Sequence, residues 1–281
     1  MSAASVTRPD LRRRRLVRPL LVGAVLLYLA VLLVAPLAGV VWTALKPGWH
    51  ILAETFGVGD VRHAALLTAI ITVITVLVTT GFGVIVAWVL VRQRFAGKSL
   101  LNALVDLPFA LSPVTVGLAC MLLFARGGWF EQFFAARGIQ IVFALPAMVL
   151  VTIFISIPFV VREVAPVLQE LGTEEEDAAR TLGASVWQSF FRVTLPNIRW
   201  ALLYGVALST ARAIGEIGAV LIVSGLIQGK TETLTLFIFR AFEERQTASA
   251  YVVALSLAAV SVAILLVIEF FKRRIGREDR T

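Results

Sequence analysis

Four stretches of this chain, residues 20–45, 64–91, 139–161 and 251–268, contain no Asp, Glu, Lys or Arg. Each reaches the ~18 residues of sustained apolarity that mark a membrane-spanning helix. Two more, 99–125 and 198–227, are long enough but carry isolated polar residues with Gly or Pro. Asp106, Pro108 and Pro113 interrupt the first of these. A proline inside a helix removes a backbone hydrogen bond and clashes with the preceding turn, so this span is predicted to be kinked or broken. The pattern predicts an all-α membrane protein of six spans.

The polar remainder is short. The loops 46–63, 126–138 and 228–250 are too small for a folded domain of their own. In the last, Leu236, Phe239 and Phe242 fall at helical spacing and predict a short amphipathic helix on the outer surface. Neither an internal repeat nor a low-complexity segment is present. The organisation is a basic N-terminus (1–19), one membrane domain (20–271) and a basic tail (272–281).

Composition agrees: mean hydropathy is +0.89 and 16% of residues are charged, against roughly 25% in soluble domains. A net charge of +8 would raise a nucleic-acid partner in a soluble protein. Here the charges follow the spans instead. With the N-terminus inside, 18 of the 26 Lys and Arg residues fall on the cytoplasmic side, counting Arg162 in the loop between spans 4 and 5. The positive-inside bias puts both termini in the cytoplasm and excludes a nucleic-acid role. The first apolar run, 26 residues from Leu20, is too long for the core of a cleaved signal peptide, so it is read as a retained helix. The single cysteine, Cys120, excludes an intrachain disulfide or a Cys-based zinc site, and the carboxylates show no metal-ligand spacing. His50 and His63 are read as ordinary interfacial residues.

One polar passage stands out between spans 4 and 5, GTEEEDAARTLGASVWQSFFRVTLP (172–196). Thr173 and Glu176 fit a capping box, and Glu174, Glu175 and Glu176 suit the positive end of a helix dipole. Gly183 suits the left-handed residue that ends a helix. Ser185 and Gln188 repeat the cap, predicting a second helix whose Trp187, Phe190 and Phe191 fasten it to the membrane domain. Pro196 is expected to close that helix and open span 5. Ala178, Ala179 and Leu182 leave the first helix with a low profile that another surface can approach. The residues alone leave two readings, a docking element and an ordinary amphipathic loop. A DNA-reading helix pair is excluded, because Glu174 to Asp177 repel phosphate.

This segment resembles the cytoplasmic signature of permeases from binding-protein-dependent ABC importers: E-A-A, three residues, G, nine residues, I, one residue, L-P. Here it stands as Asp177-Ala178-Ala179, Gly183, Val193 and Leu195-Pro196, with Asp for Glu and Val for Ile. The resemblance implies a type I ABC importer permease fold. It also implies that Glu176, Asp177, Ala178, Ala179, Gly183, Leu195 and Pro196 form a coupling helix for a separate ATPase subunit dimer. The phosphate-binding pattern G-x-x-x-x-G-K-[ST] is absent, so this chain is expected to hold no cofactor and catalyse nothing, with ATP and Mg bound by the ATPase. One docking segment per chain, against a paired ATPase, implies a second permease subunit. Three passages, DLPFALSPVTVG (106–117), SIPFVVREVAPVLQELGTEEEDAARTLGAS (156–185) and ARAIGEIGAVLIVSG (211–225), are similar to sulfate/thiosulfate permeases of the CysW type. That likeness implies a CysT-type partner, an external sulfate-binding protein and the bacterial plasma membrane. Molybdate or tungstate permeases share weaker forms of these motifs, and an ATP-independent anion carrier is the competing class.

The residues of ARAIGEIGA carry their own argument. From a span starting near 198, Arg212 lies ~21 Å along the helix, where a charge is expensive and a functional candidate by default. Glu216, one turn on, shares its face and can neutralise it. Ala211, Gly215 and Ala219 form a row that lets another backbone approach. Gly215 and Gly218 allow a local break that frees N–H groups toward an anion. Two readings follow: Arg212 and Glu216 line or gate the anion path, with Asp106 and Ser112 nearby, or they are a static internal bridge. For Asp106 the alternative is capping the broken helix beside Pro108. A lone Arg cancelled by Glu is a poor dianion site, so substrate recognition is expected to reside in the external binding protein.

Overall fold

The computed structural model describes residues 11–275. The N-terminal residues 1–10 and the last residues of the basic tail, 276–281, lie outside them. The first apolar run forms α1 (Leu11–Leu29), a π-helical turn (Ala30–Val34) and α2 (Ala35–Leu45). The π turn sits directly before Pro36, where the missing N–H and the ring would otherwise disturb the α-helical ladder. Then come α3 (His50–Gly57), the long α4 (Gly59–Arg92), α5 (Lys98–Ala110), α6 (Pro113–Phe124) and α7 (Glu131–Ala135). The segment that follows holds α8 (Leu145–Leu171), α9 (Glu174–Thr181) and α10 (Val186–Ser189). A second π turn (Phe190–Thr194) leads into α11 (Leu195–Ile214), α12 (Gly218–Ser224), α13 (Leu234–Glu243) and α14 (Thr247–Ile275).

Among the described residues four helices are long and apolar enough to cross a membrane, and six spans result when each bent pair counts as one. The pairs are α5 with α6, bent by 111°, and the 186–214 helix with α12, bent by 50°. Pro113 and the extended Ser112 account for the first bend, since proline restricts the residue before it to extended backbone. The third span is therefore broken, as its prolines predict.

Glycines set how closely the central helices pack. A side chain at Gly83 of α4 would meet Val160 Cβ of α8 at 2.8 Å, and one at Gly205 of α11 would meet Val160 Cα at 3.0 Å. Val160 is thus gripped between two backbones, the small-residue packing that drives helix association in lipid. Around it Val84, Ala87, Val105, Val164, Leu168 and Ile198 form one buried cluster. A second cluster, with Leu67, Met148, Ile155 and Val223, fills the other half of the bundle and holds α6 and α12. The span Pro19–Leu45 is almost wholly exposed on the outside of the chain.

Two sequence expectations change here. Arg162 is not in a loop: α8 continues unbroken to Leu171, so Arg162 lies within a helix, nine residues from its end. The amphipathic helix exists as α13, but its buried residues are Leu234, Leu236, Phe237 and Ala241, while Phe239 and Phe242 stay exposed. Of the three residues expected on the packing face only Leu236 is on it; Leu234, Phe237 and Ala241 supply the rest. Its start is anchored by the fully buried Glu232, which takes 2.6 and 3.2 Å hydrogen bonds from Arg240. Those bonds hold the Arg240 guanidinium above its ordinary pKa, against the opposing effect of burial.

Candidate functional site

The 172–196 segment folds as a helix, a glycine turn and a second helix. Helix α9 ends in a Schellman motif, with Gly183 N donating to Arg180 O and Ala184 N to Ala179 O. Gly183 takes φ of +87°, a conformation that glycine tolerates best. Ser185 caps α10 in a full capping box: its hydroxyl accepts from Gln188 N at 3.3 Å and its N–H donates to Gln188 Oε1 at 2.8 Å. Pro196 does not close this helix. The π turn before it absorbs the missing hydrogen bond, and Pro196 sits in the first turn of α11, so residues 186–214 form one continuous helix.

The predicted box between Thr173 and Glu176 is not formed, since Thr173 makes no side-chain cap. Glu176 turns inward instead. Its Oε1 accepts from Arg92 Nη2 at 2.9 Å, Arg92 Nε at 3.2 Å and Thr194 Oγ1 at 2.9 Å. Arg92 Nη1 also donates to Leu168 O at 2.9 Å. Both charged side chains are under 10% exposed. One buried carboxylate thereby ties α9 to the ends of α4 and α8 and to the π turn that leads into α11. A second tie runs from Asn197 Nδ2 to Glu175 Oε2.

The opposite side of the segment is open. Asp177 and Ala178 are exposed and Ala179 is half-buried. Leu182 is 89% exposed and Trp187 70%, with Val186 and Phe191 beside them. Trp187 stacks on Phe191 with centroids 6.1 Å apart. Only Phe190 packs into the bundle, so the fastening role expected of all three aromatics falls to it alone. The result is an apolar patch with an acidic edge on a rigidly mounted knuckle.

The second candidate site lies at the break between α11 and α12. Arg212 Nη2 and Glu216 Oε2 are 2.6 Å apart, with the arginine side chain 27% exposed and the glutamate 2%. Glu216 Oε1 also accepts from Ala219 N at 2.8 Å, and its carbonyl accepts from Thr235 Oγ1 at 2.8 Å. The break falls at Gly215, as the glycine spacing predicts, and it separates Ala211 from Ala219. The expected small-residue row is therefore divided between two helices. The close approach occurs on α12 alone, where Pro113 meets Gly218 and Gly117 meets Ala219. Beside the break, Thr68, Thr72, Thr75 and Thr79 line one buried face of α4, and Thr79 bonds Ser209 at 3.0 Å.

Asp106 does not join Arg212. It lies inside α5, caps no helix, and accepts from Arg162 Nε at 2.8 Å, while Asn102 Oδ1 accepts from Arg162 Nη2 at 3.1 Å. Ser112 stands at the α5–α6 bend with no side-chain cap bond. Arg92, Thr194 and Arg162 are functional candidates that sequence reasoning missed. The threonine stripe alone left a legible signal, its spacing of 68, 72, 75 and 79. Among the described residues no group of three or more His, Cys, Asp or Glu is placed to hold a metal.

Residues 79–278 match the model of the binding-protein-dependent transport system inner membrane component. The chain belongs to this family. It is 46% identical over 260 residues to the sulfate transport system permease protein CysW of Synechocystis, covering 92% of this chain and 94% of that one. To the CysW protein of Escherichia coli K12 it is 41% identical over 264 residues, covering 92% and 89%. To the CysT protein of the same bacterium it is 39% identical over 255 residues, covering 91% and 92%. Its fold matches a chain of a bacterial alginate ABC transporter, solved with an alginate pentasaccharide-bound periplasmic protein, at a TM-score of 0.77 and 17% identity, covering 95% and 96%. As a family member this permease is an inner-membrane component, and its all-helical fold is that of the ABC importer permeases.

Proposed function

We propose that this permease carries sulfate, and with it thiosulfate, across the bacterial plasma membrane as one subunit of an ATP-driven importer. The observation that carries the reading is the pairing of an exposed apolar knuckle with a buried ion pair that fixes it to the bundle. ATP and Mg are held by a partner ATPase dimer, and this chain holds neither. The knuckle enters that ATPase with both termini on the same, cytoplasmic side. A second permease of CysT type completes the membrane path, and an external sulfate-binding protein delivers the anion. The occurrence of both CysW and CysT relatives in one bacterium supports two different subunits.

In the transport cycle, ATPase closure displaces α9. Glu176 passes that displacement to Arg92 and hence to α4, while the continuous 186–214 helix passes it along α11 to the break at Gly215. Arg212 stands at that break, partly exposed on the surface of the chain. A guanidinium at this depth is not left facing lipid, so its face is the one that meets the second permease and the anion path. There the Arg212–Glu216 pair gates passage, its charges re-paired as the spans alternate.

Reconstitution with the ATPase, the CysT-type subunit and the binding protein tests this. The expected result is sulfate uptake into proteoliposomes that requires ATP. Uptake indifferent to ATP would establish a secondary carrier instead, and ATP-driven uptake of molybdate or tungstate in preference to sulfate would reassign the substrate.

A further inference from the structure

A cavity of about 460 Å³ lies among the last turns of α4 and α8 and the first turns of α5. Its polar lining is Lys98, Ser99, Asn102, Arg162 and Gln169, and no carboxylate lines it. Asp106, which is not part of the lining, takes the Nε and Nη2 side of Arg162. That grip fixes the guanidinium and leaves Nη1 without a hydrogen-bond partner among the described residues. Asn102 accepts from Arg162 through Oδ1, so its Nδ2 group remains a donor. Among the described residues the Lys98 ammonium makes no hydrogen bond or ion pair, its backbone N–H donating to Phe95 O. Helix α5 begins here after Gly97 with no side-chain cap, and the N–H groups of Ser99 and Leu100 have no partner among the described residues. Ammonium, guanidinium, amide and hydroxyl donors thus converge on one space.

We propose that this cavity binds a tetrahedral oxyanion, with Lys98 supplying the uncompensated charge and Arg162 Nη1, Asn102 and Ser99 supplying hydrogen bonds. Donor geometry of this kind selects anions with several acceptor oxygens. Two sources carry that chemistry. One is free sulfate leaving the path on the Arg92 side of the bundle. The other is the phosphate of an anionic lipid, which basic pockets between helix ends at the inner leaflet also accept. Naming sulfate as the free ion rests on the transport reading above, whereas the oxyanion site itself does not.

The test compares wild-type complex with Lys98→Gln, Lys98→Arg and Asn102→Ala complexes. Bound radiolabelled sulfate is measured in zwitterionic-lipid nanodiscs, and phosphatidylglycerol retained through purification is measured by native mass spectrometry. Loss of one charge-assisted hydrogen bond is expected to weaken the ligand about tenfold, with Lys98→Arg retaining binding. A fall in sulfate alone identifies the free ion, and a fall in phosphatidylglycerol alone identifies the lipid. Unchanged sulfate and unchanged lipid in both Lys98→Gln and Asn102→Ala overturn the proposal. ATP-driven uptake measured on the same wild-type preparation tells a failed site from a failed transport reading.

Discussion

Arg92 and Glu176, 84 positions apart, share a buried ion pair whose carboxylate oxygen also accepts from Thr194. The contact joins the end of α4 to α9 by a route independent of the chain connection. A carboxylate with this many donors is held in place, and removing a partner leaves the other charge buried without compensation.

Arg92→Ala is therefore expected to cost about 3–5 kcal/mol, more than the loss of an exposed pair. The thermal midpoint of the purified complex should fall and transport should fail with it. Arg92→Lys, which keeps the charge but loses the fork geometry, should assemble and yet uncouple ATP hydrolysis from uptake. Equal coupling ratios in Arg92→Lys and wild type would show that the pair only stabilises.

The exposed patch makes a separate prediction. Leu182 and Trp187 face away from the bundle, so replacing them leaves the fold intact. Trp187→Ala is expected to remove about 2 kcal/mol of ATPase affinity, roughly 30-fold, and Leu182→Asp to remove more. Co-purification of the ATPase at graded concentration measures both.

At the helix break, Glu216→Gln leaves Arg212 without its counter-charge and weakens the bond to Ala219 N. Transport is expected to drop by about tenfold or more, with assembly intact, as a transition between charge pairings would require. Unchanged uptake in Glu216→Gln and Arg212→Gln, in normally assembled complex, would reduce the pair to a structural bridge.

Gly83 and Val160 test the packing of the core. Gly83→Ala places a methyl group within 2.8 Å of Val160 Cβ, an overpacking worth about 1–3 kcal/mol. Val160→Ala in the same chain removes Cγ1, also 2.8 Å from the added methyl, but keeps Cβ, so it should recover only part of the lost stability, which thermal unfolding of the single and double variants resolves.

Local chemistry was readable before the structure was known. The Schellman turn at Gly183 and the box between Ser185 and Gln188 each involve neighbours within a few positions, so the residues specify them directly. The break at Gly215 followed from glycine spacing for the same reason. The use of Glu176 was not readable: the Thr173–Glu176 signature is satisfied equally by a local cap, and only the tertiary fold brings Arg92 to it. Arg162 is not a loop residue because α8 runs several turns past its apolar portion, carrying its charges inside a helix, and that brings it to Asp106 of the third span. Trp187 and Phe191 read as anchors because aromatic residues usually bury, yet both stay exposed and only Phe190 packs into the bundle.

The most direct measurement is a cross-link from the knuckle. Cys120 is buried and is the only cysteine, so Ala178→Cys introduces the one accessible thiol. In the assembled complex this thiol should capture the ATPase subunit, with a yield that changes when ATP is trapped. A transport-competent complex in which it never captures the ATPase, or in which it is labelled from the external side, would contradict the account.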